Sequence, residues 1–152
     1  MGLLYRLFFG NPPRRIEHPV FGEALLMSLK QGSYWEVETE VGGKPFTVAI
    51  ETIDEQEPTP AQAEFFRRFT DDPNLAFDRA SALLIPEYVK WVREPFPANW
   101  RDGFVFTGMS VPLDGDDHNP WDLSFECLKD RDGHLFTCTF EDGNPKELQV
   151  DG

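Results

Sequence analysis

Basic residues are scarce in this chain. Fourteen Lys and Arg stand against 27 Asp and Glu, and the formal net charge is −13 with three histidines counted neutral. Binding to a nucleic acid backbone needs cations to displace counterions, so DNA and RNA are excluded as expected partners. Anionic membrane surfaces are excluded for the same reason. Long apolar runs are missing too: none approaches the roughly 18–20 residues of a spanning helix. The apolar opening, Met1 to Gly10, is interrupted by Arg6 and lacks a small-residue cleavage site. No signal peptide is expected, and the chain reads as cytoplasmic. Cysteine is limited to Cys127 and Cys138, too few for a disulfide framework and without the spacing of a zinc site. There is no P-loop, G-x-S-x-G, G-x-G-x-x-G or HExxH pattern, no internal repeat and no low-complexity tract.

What is present suits one domain, residues 1–152. At 40% hydrophobic and 27% charged, the composition is that of a soluble globular protein. Aromatics are abundant at 14%, with 14 Phe, 4 Trp and 3 Tyr. The charge is polarised: residues 102–152 hold 12 acids and 3 bases, so the C-terminal third is the negative pole.

Strand signals come first. A leading strand or arm is expected up to about Arg15. Phe21 to Leu29 alternates loosely, with Phe21, Leu25, Met27 and Leu29 assigned to one face. Tyr34 to Val41 alternates cleanly, placing Trp35, Val37, Thr39 and Val41 inward and Glu36, Glu38 and Glu40 outward. Gly42-Gly43 is a hairpin turn. Its register sets Val41 opposite Lys44, Thr39 opposite Phe46, Val37 opposite Val48 and Trp35 opposite Ile50, with every apolar side chain on one face.

Helix signals follow. Thr59 is placed to cap a helix, Pro60 to open it and Gln62 to reach back as in a capping box. That helix runs to about Phe69. Asp72-Pro73 repeats the signal for a second helix, which Pro86 is expected to end or kink. Tyr88, Val89 and Val92 suggest one or two further turns. Strands then resume at Phe104–Val111, Trp121–Lys129, His134–Phe140 and Lys146–Val150. Grouped strands with segregated helices predict an α+β fold: antiparallel β-meanders at both ends of the chain forming one sheet, with two to three helices inserted between them and packed on one face.

Candidate chemistry is sparse. Asp114-Gly115-Asp116-Asp117-His118-Asn119 offers hard oxygen ligands. Counted as a calcium loop from Asp114, however, its sixth and twelfth positions hold Asn119 and Phe125, where glycine and glutamate belong. A solvated connection suits these residue types better. His18, His118 and His134 pair with no nucleophile in sequence. A two-residue turn at Asp132-Gly133 would set Cys127 opposite Cys138, and a bulged turn would offset them by one; two free thiols are expected rather than a bond. No catalytic, cofactor or metal residue is assigned. Most Phe residues, Phe8 and Phe9 among them, fall at core positions. Phe96, Trp100 and Trp121 in loops, and Trp91 on the last helical turns, either fold inward or serve as protein-binding anchors.

The stretch Tyr34-Trp35-x-Val37, then Gly42-Gly43-Lys44-Pro45-Phe46-x-Val48-x-Ile50, is followed by the Thr59-Pro60 helix start and by Tyr88 after a proline. The chain closes with Asp130-x-x-Gly133-His134-Leu135-Phe136-x-x-x-Phe140-x-Asp142-Gly143. Over residues 20–150 this resembles small uncharacterised bacterial α+β proteins that recur beside polymorphic toxin genes, some of which are taken to be immunity proteins. The resemblance implies no catalytic residues. It implies a non-enzymatic protein-binding domain that neutralises a basic toxin through an acidic face. Asp114, Asp116, Asp117, Trp121 and Asp122 are the expected contacts, with Trp100 as a possible anchor. The alternatives are a small enzyme with a cleft between helices and sheet, and a structural or regulatory domain whose acidity serves solubility.

Overall fold

The computed structural model describes residues 14–151. Strands β1 (Arg15–His18), β2 (Gly22–Leu29), β3 (Gly32–Val41) and β4 (Lys44–Glu51) precede helices α1 (Pro60–Thr70) and α2 (Pro73–Val92). Strands β5 (Phe104–Val111), β6 (Trp121–Cys127), β7 (Leu135–Glu141) and β8 (Asn144–Asp151) complete the chain. All eight strands lie in one sheet in chain order. The fold is therefore α+β, with a correction. The sheet is mixed and continuous, because β4 and β5 pair in parallel while every other neighbouring pair is antiparallel. A parallel pair cannot be joined by a tight turn, and the two helices form the required crossover. The expected leading strand or arm before Arg14, and the core positions of Phe8 and Phe9, lie outside the described residues.

The β3–β4 hairpin has the register that its alternation dictates: Val41 pairs with Lys44, Thr39 with Phe46, Val37 with Val48 and Trp35 with Ile50. Strand β2 differs from expectation. Ala24 and Leu26 point into the core, while Leu25 and Met27 take the opposite face. Phe21 lies ahead of the strand, outside its alternation, and packs on Phe66 with ring centroids 4.9 Å apart.

Helix α1 starts as its sequence specifies. Thr59 Oγ1 accepts from the Gln62 backbone N–H, and Gln62 Oε1 accepts from the Thr59 N–H. Helix α2 is one element of 20 residues running through Pro86, so the helices number two among the described residues and Tyr88–Val92 is no separate turn. An interior proline costs about 3 kcal/mol. Here Leu84 and Tyr88, on either side of it, are fully buried, and each such burial contributes about 1.5–3 kcal/mol. Packing outweighs the break.

Both helices cover the same face of the sheet. From α1, Phe65 and Phe69 lie 4.9 and 5.2 Å from Trp121, and Phe66 reaches Phe46. From α2, Phe77 meets Phe125 and Tyr88 meets Phe104. This layer absorbs most of the aromatic surplus. Phe96 and Trp100 fold in as well, stacking on Phe77 at 5.5 and 5.0 Å. Trp91 remains exposed.

The Cys127–Cys138 expectation is corrected by register. The β6–β7 connection is a longer loop than a hairpin turn, and Cys138 pairs with Leu123. Both thiols are free and buried, and burial pushes Cys138 up to about 12.

Candidate functional site

Among the described residues no element covers the other face of the sheet, and the pleat decides what stands on it. Since Trp35, Val37, Val48 and Ile50 point to the helices, their neighbours Glu36, Glu38, Glu40, Thr47, Ala49 and Glu51 point away. Register carries the same face across the sheet: Glu36 pairs with Ala49, Ala49 with Ser110, Thr47 with Gly108, and Gly108 with Ser124. On β6 this face presents Asp122, Ser124 and Glu126, and on β2 it presents Glu23. From β2 to β6 it therefore carries seven carboxylates; Glu23 is paired with Arg15 of β1 at 2.9 Å, and Lys44 of β4 lies at the edge of the same face.

A groove of about 650 Å³ runs over the middle of this face. Thr47 and Ala49 line it from β4, Val105, Thr107 and Gly108 from β5, Asp122, Ser124 and Glu126 from β6, and Leu135 from β7, with Lys44 at its rim. Its depth has a local cause. The β5–β6 register shifts between Phe106 and Gly108, and at Gly108 a Cβ would stand 2.9 Å from the Thr47 carbonyl oxygen. Glycine is required for β4 and β5 to approach there, and it leaves the groove floor bare.

Three carboxylates of this face, Asp122 in the groove and Glu51 and Glu36 beside it, are raised in pKa. Asp122 is raised by burial, which hydrogen bonding with Ser110 only partly offsets; its backbone N–H donates to Ser110 Oγ at 2.8 Å. Glu51 is raised by partial burial and then by the charge of Asp122. Glu36 is raised by burial and then by Glu38, and its Oε2 is enclosed without a hydrogen-bond partner among the described residues. Desolvation and mutual repulsion both disfavour the charged forms.

This has a consequence for stability. A carboxylate whose folded pKa lies above its unfolded value binds protons more tightly when folded. Its contribution to stability therefore falls as pH rises from the ordinary carboxylate range through the folded pKa. Asp122→Asn is expected to raise the melting temperature at pH 7 by roughly 2–4 °C, the effect of about 1 kcal/mol in a chain of this size. The gain should shrink towards pH 4. Thermal melts at both values check it, and an unchanged or lower melting temperature at pH 7 would remove the claim that Asp122 is held at a cost.

The six residues singled out from sequence do not form one patch. Asp114, Asp116 and Asp117 sit in the loop after β5, with Asp114 and Asp116 exposed. That loop is anchored rather than free. Gly115 packs so close to α1 that a Cβ would lie 2.4 Å from the Ala61 carbonyl oxygen. At its other side the Gly143 N–H donates to the Asp117 carbonyl at 2.9 Å. His118 Nδ1 lies 3.0 Å from Asp116 Oδ1, a contact that raises His118, while Asp116 is lowered first by the His118 backbone N–H that donates to it and then by the imidazole. His134 Nδ1 lies 2.6 Å from Asp130 Oδ2.

Trp121 is not a surface anchor. It is 2% exposed, stacked on Phe140 at 4.2 Å, because position 121 shares the inward parity of Leu123 and Phe125. Trp100 is half-buried, and its indole N–H donates to Asn74 Oδ1 at 2.9 Å. It lies just before β5 while the acidic loop lies just after, so the eight residues of β5 separate them by about 25 Å. Asp122 alone of the six stands in the groove. Glu36, Glu51 and Glu126 were missed as site residues. The outward Glu alternation on β3 was the available signal, but nothing local to it shows which strand lies beyond β4.

No known family model, curated protein or solved structure matches this chain. No helix among the described residues is long and apolar enough to cross a membrane.

Proposed function

We propose that the protein is a non-enzymatic binding domain that takes a basic protein partner on the acidic face of its sheet opposite the helices, in the manner of a cytoplasmic immunity protein holding a basic toxin. The observation that carries the reading is the set of seven carboxylates facing one way from β2 to β6, against which stand Arg15 on Glu23 and Lys44 at the groove rim among the described residues of β1 to β6. Charge of one sign on a shaped surface steers an oppositely charged partner and accelerates encounter. Raised carboxylates gain from a cation, because a partner's ammonium or guanidinium restores the stabilisation that burial removed. The competing enzyme reading needs a cleft between helices and sheet. That space is occupied by Phe65, Phe69, Phe77, Leu84 and Tyr88, all buried.

The test is affinity capture at low and moderate salt, using the native chain, a face variant (Glu36→Gln, Glu51→Gln, Asp122→Asn and Glu126→Gln together) and a loop variant (Asp114→Asn, Asp116→Asn and Asp117→Asn together). A basic protein held at low salt, released at moderate salt and lost from the face variant is the expected result. A partner that ignores both salt and the face variant would refute the reading.

A further inference from the structure

We infer that the groove over β4 to β6 seats an extended segment of the basic partner carrying two cationic side chains four residues apart, their aliphatic stems on the Ala49–Gly108–Val105 floor and their charged heads on Asp122 and Glu126. The inference rests on the proposed function and specifies where and how that partner is held.

The chemistry of the groove is divided. Its floor is apolar or side-chain-free at Ala49, Gly108 and Val105, its acids Asp122 and Glu126 stand along the β6 wall, and its one lysine, Lys44, lies at the β4 rim. That division suits lysine and arginine, whose methylene stems pack on apolar surface while the charged head reaches a polar rim. The volume of about 650 Å³ is within the range of ligand-binding clefts.

Spacing gives the segment its conformation. Asp122, Ser124 and Glu126 alternate on one face of β6, so the two acids stand about 13 Å apart at strand rise. An extended chain covers that distance in four residues, whereas a helix needs about nine. Ser124 between them is neutral, with its hydroxyl 3.2 Å from Thr137 Oγ1, so the intervening position of the segment needs no charge.

The experiment is an amide chemical-shift titration of the full chain with two synthetic peptides of equal composition, one with lysines four residues apart in a β-prone frame and one with adjacent lysines. The first should shift Gly108, Ser124 and Glu126, bind roughly tenfold more tightly than the second, and lose that advantage with Asp122→Asn plus Glu126→Gln. The amide spectrum of the double variant verifies that it is folded. Equal affinity for the two peptides would overturn the spacing. Shifts confined to residues 114–118 would overturn the groove while leaving a basic partner in place. No shifts with either peptide would overturn the groove and the proposed function together.

Discussion

Replacing Gln62 by leucine is expected to cost about 3–5 kcal/mol of stability, more than the loss of a helix cap. Gln62 is 3% exposed, yet its carboxamide is fully used. Nε2 donates to the Glu51 carbonyl at 2.7 Å and to the Pro112 carbonyl at 3.1 Å, and Oε1 accepts from the Thr59 N–H at 3.0 Å. One side chain thus ties together the end of β4, the end of β5 and the start of α1. Leucine fills similar space and makes none of these bonds. Each buried group left without a partner costs about 1–3 kcal/mol. Thr59→Ala removes only the side-chain half of the capping box and should cost about 1 kcal/mol. Urea unfolding of both variants checks the ratio, and a Gln62→Leu loss no larger than that of Thr59→Ala would show that the three-way tie has no energetic weight.

Trp121→Ala should cost about 3–5 kcal/mol, the usual range for emptying an aromatic site in a core. Its ring is sandwiched by Phe140, Phe65 and Phe69, with the Arg79 guanidinium 5.5 Å from its centroid. Trp121→Phe is the informative partner. The indole Nε1 is buried without a hydrogen-bond partner among the described residues, so phenylalanine gives up some packing and also removes that donor. Its cost should stay below about 1.5 kcal/mol. An interface anchor would behave in the opposite way, losing affinity in the alanine variant at unchanged stability, and a stability loss under 1 kcal/mol would return Trp121 to that role.

Trp121 also shows where sequence reading succeeds and where it stops. The β3–β4 hairpin was legible residue by residue, because a strict alternation meets a two-glycine turn and admits one register. The start of α1 was legible because Thr59, Pro60 and Gln62 act within four residues of one another. Failures came where distant packing decided the outcome. Pro86 sits inside a helix because Leu84 and Tyr88 are buried on the sheet. The loose alternation of β2 was placed on the wrong face because Phe21 lies outside the strand. A tight turn at Asp132-Gly133 sets Cys127 opposite Cys138 or one residue off, whereas the longer β6–β7 loop pairs Cys138 with Leu123. Of the candidate site, Asp122 was legible as an acid and its setting was not. The groove exists only because Thr47 meets Gly108 across the helical crossover, and no local pattern announces that pairing.

That pairing bears on how the chain acquires its structure and how it comes apart. Strands β1 to β4, and likewise β5 to β8, each meet their sequence neighbours, so contacts within either half close short loops. Joining β4 to β5 closes a loop containing both helices, and its entropy is lost before any contact across the junction repays it. The two halves should therefore zip early and dock late, with the β4–β5 amides among the last to gain protection from hydrogen exchange. A segment lying from Ala49 to Asp122 would straddle that junction. Such an occupant would act as a clasp on the slowest step of folding, lengthening the lifetime of the folded state as well as being held by it.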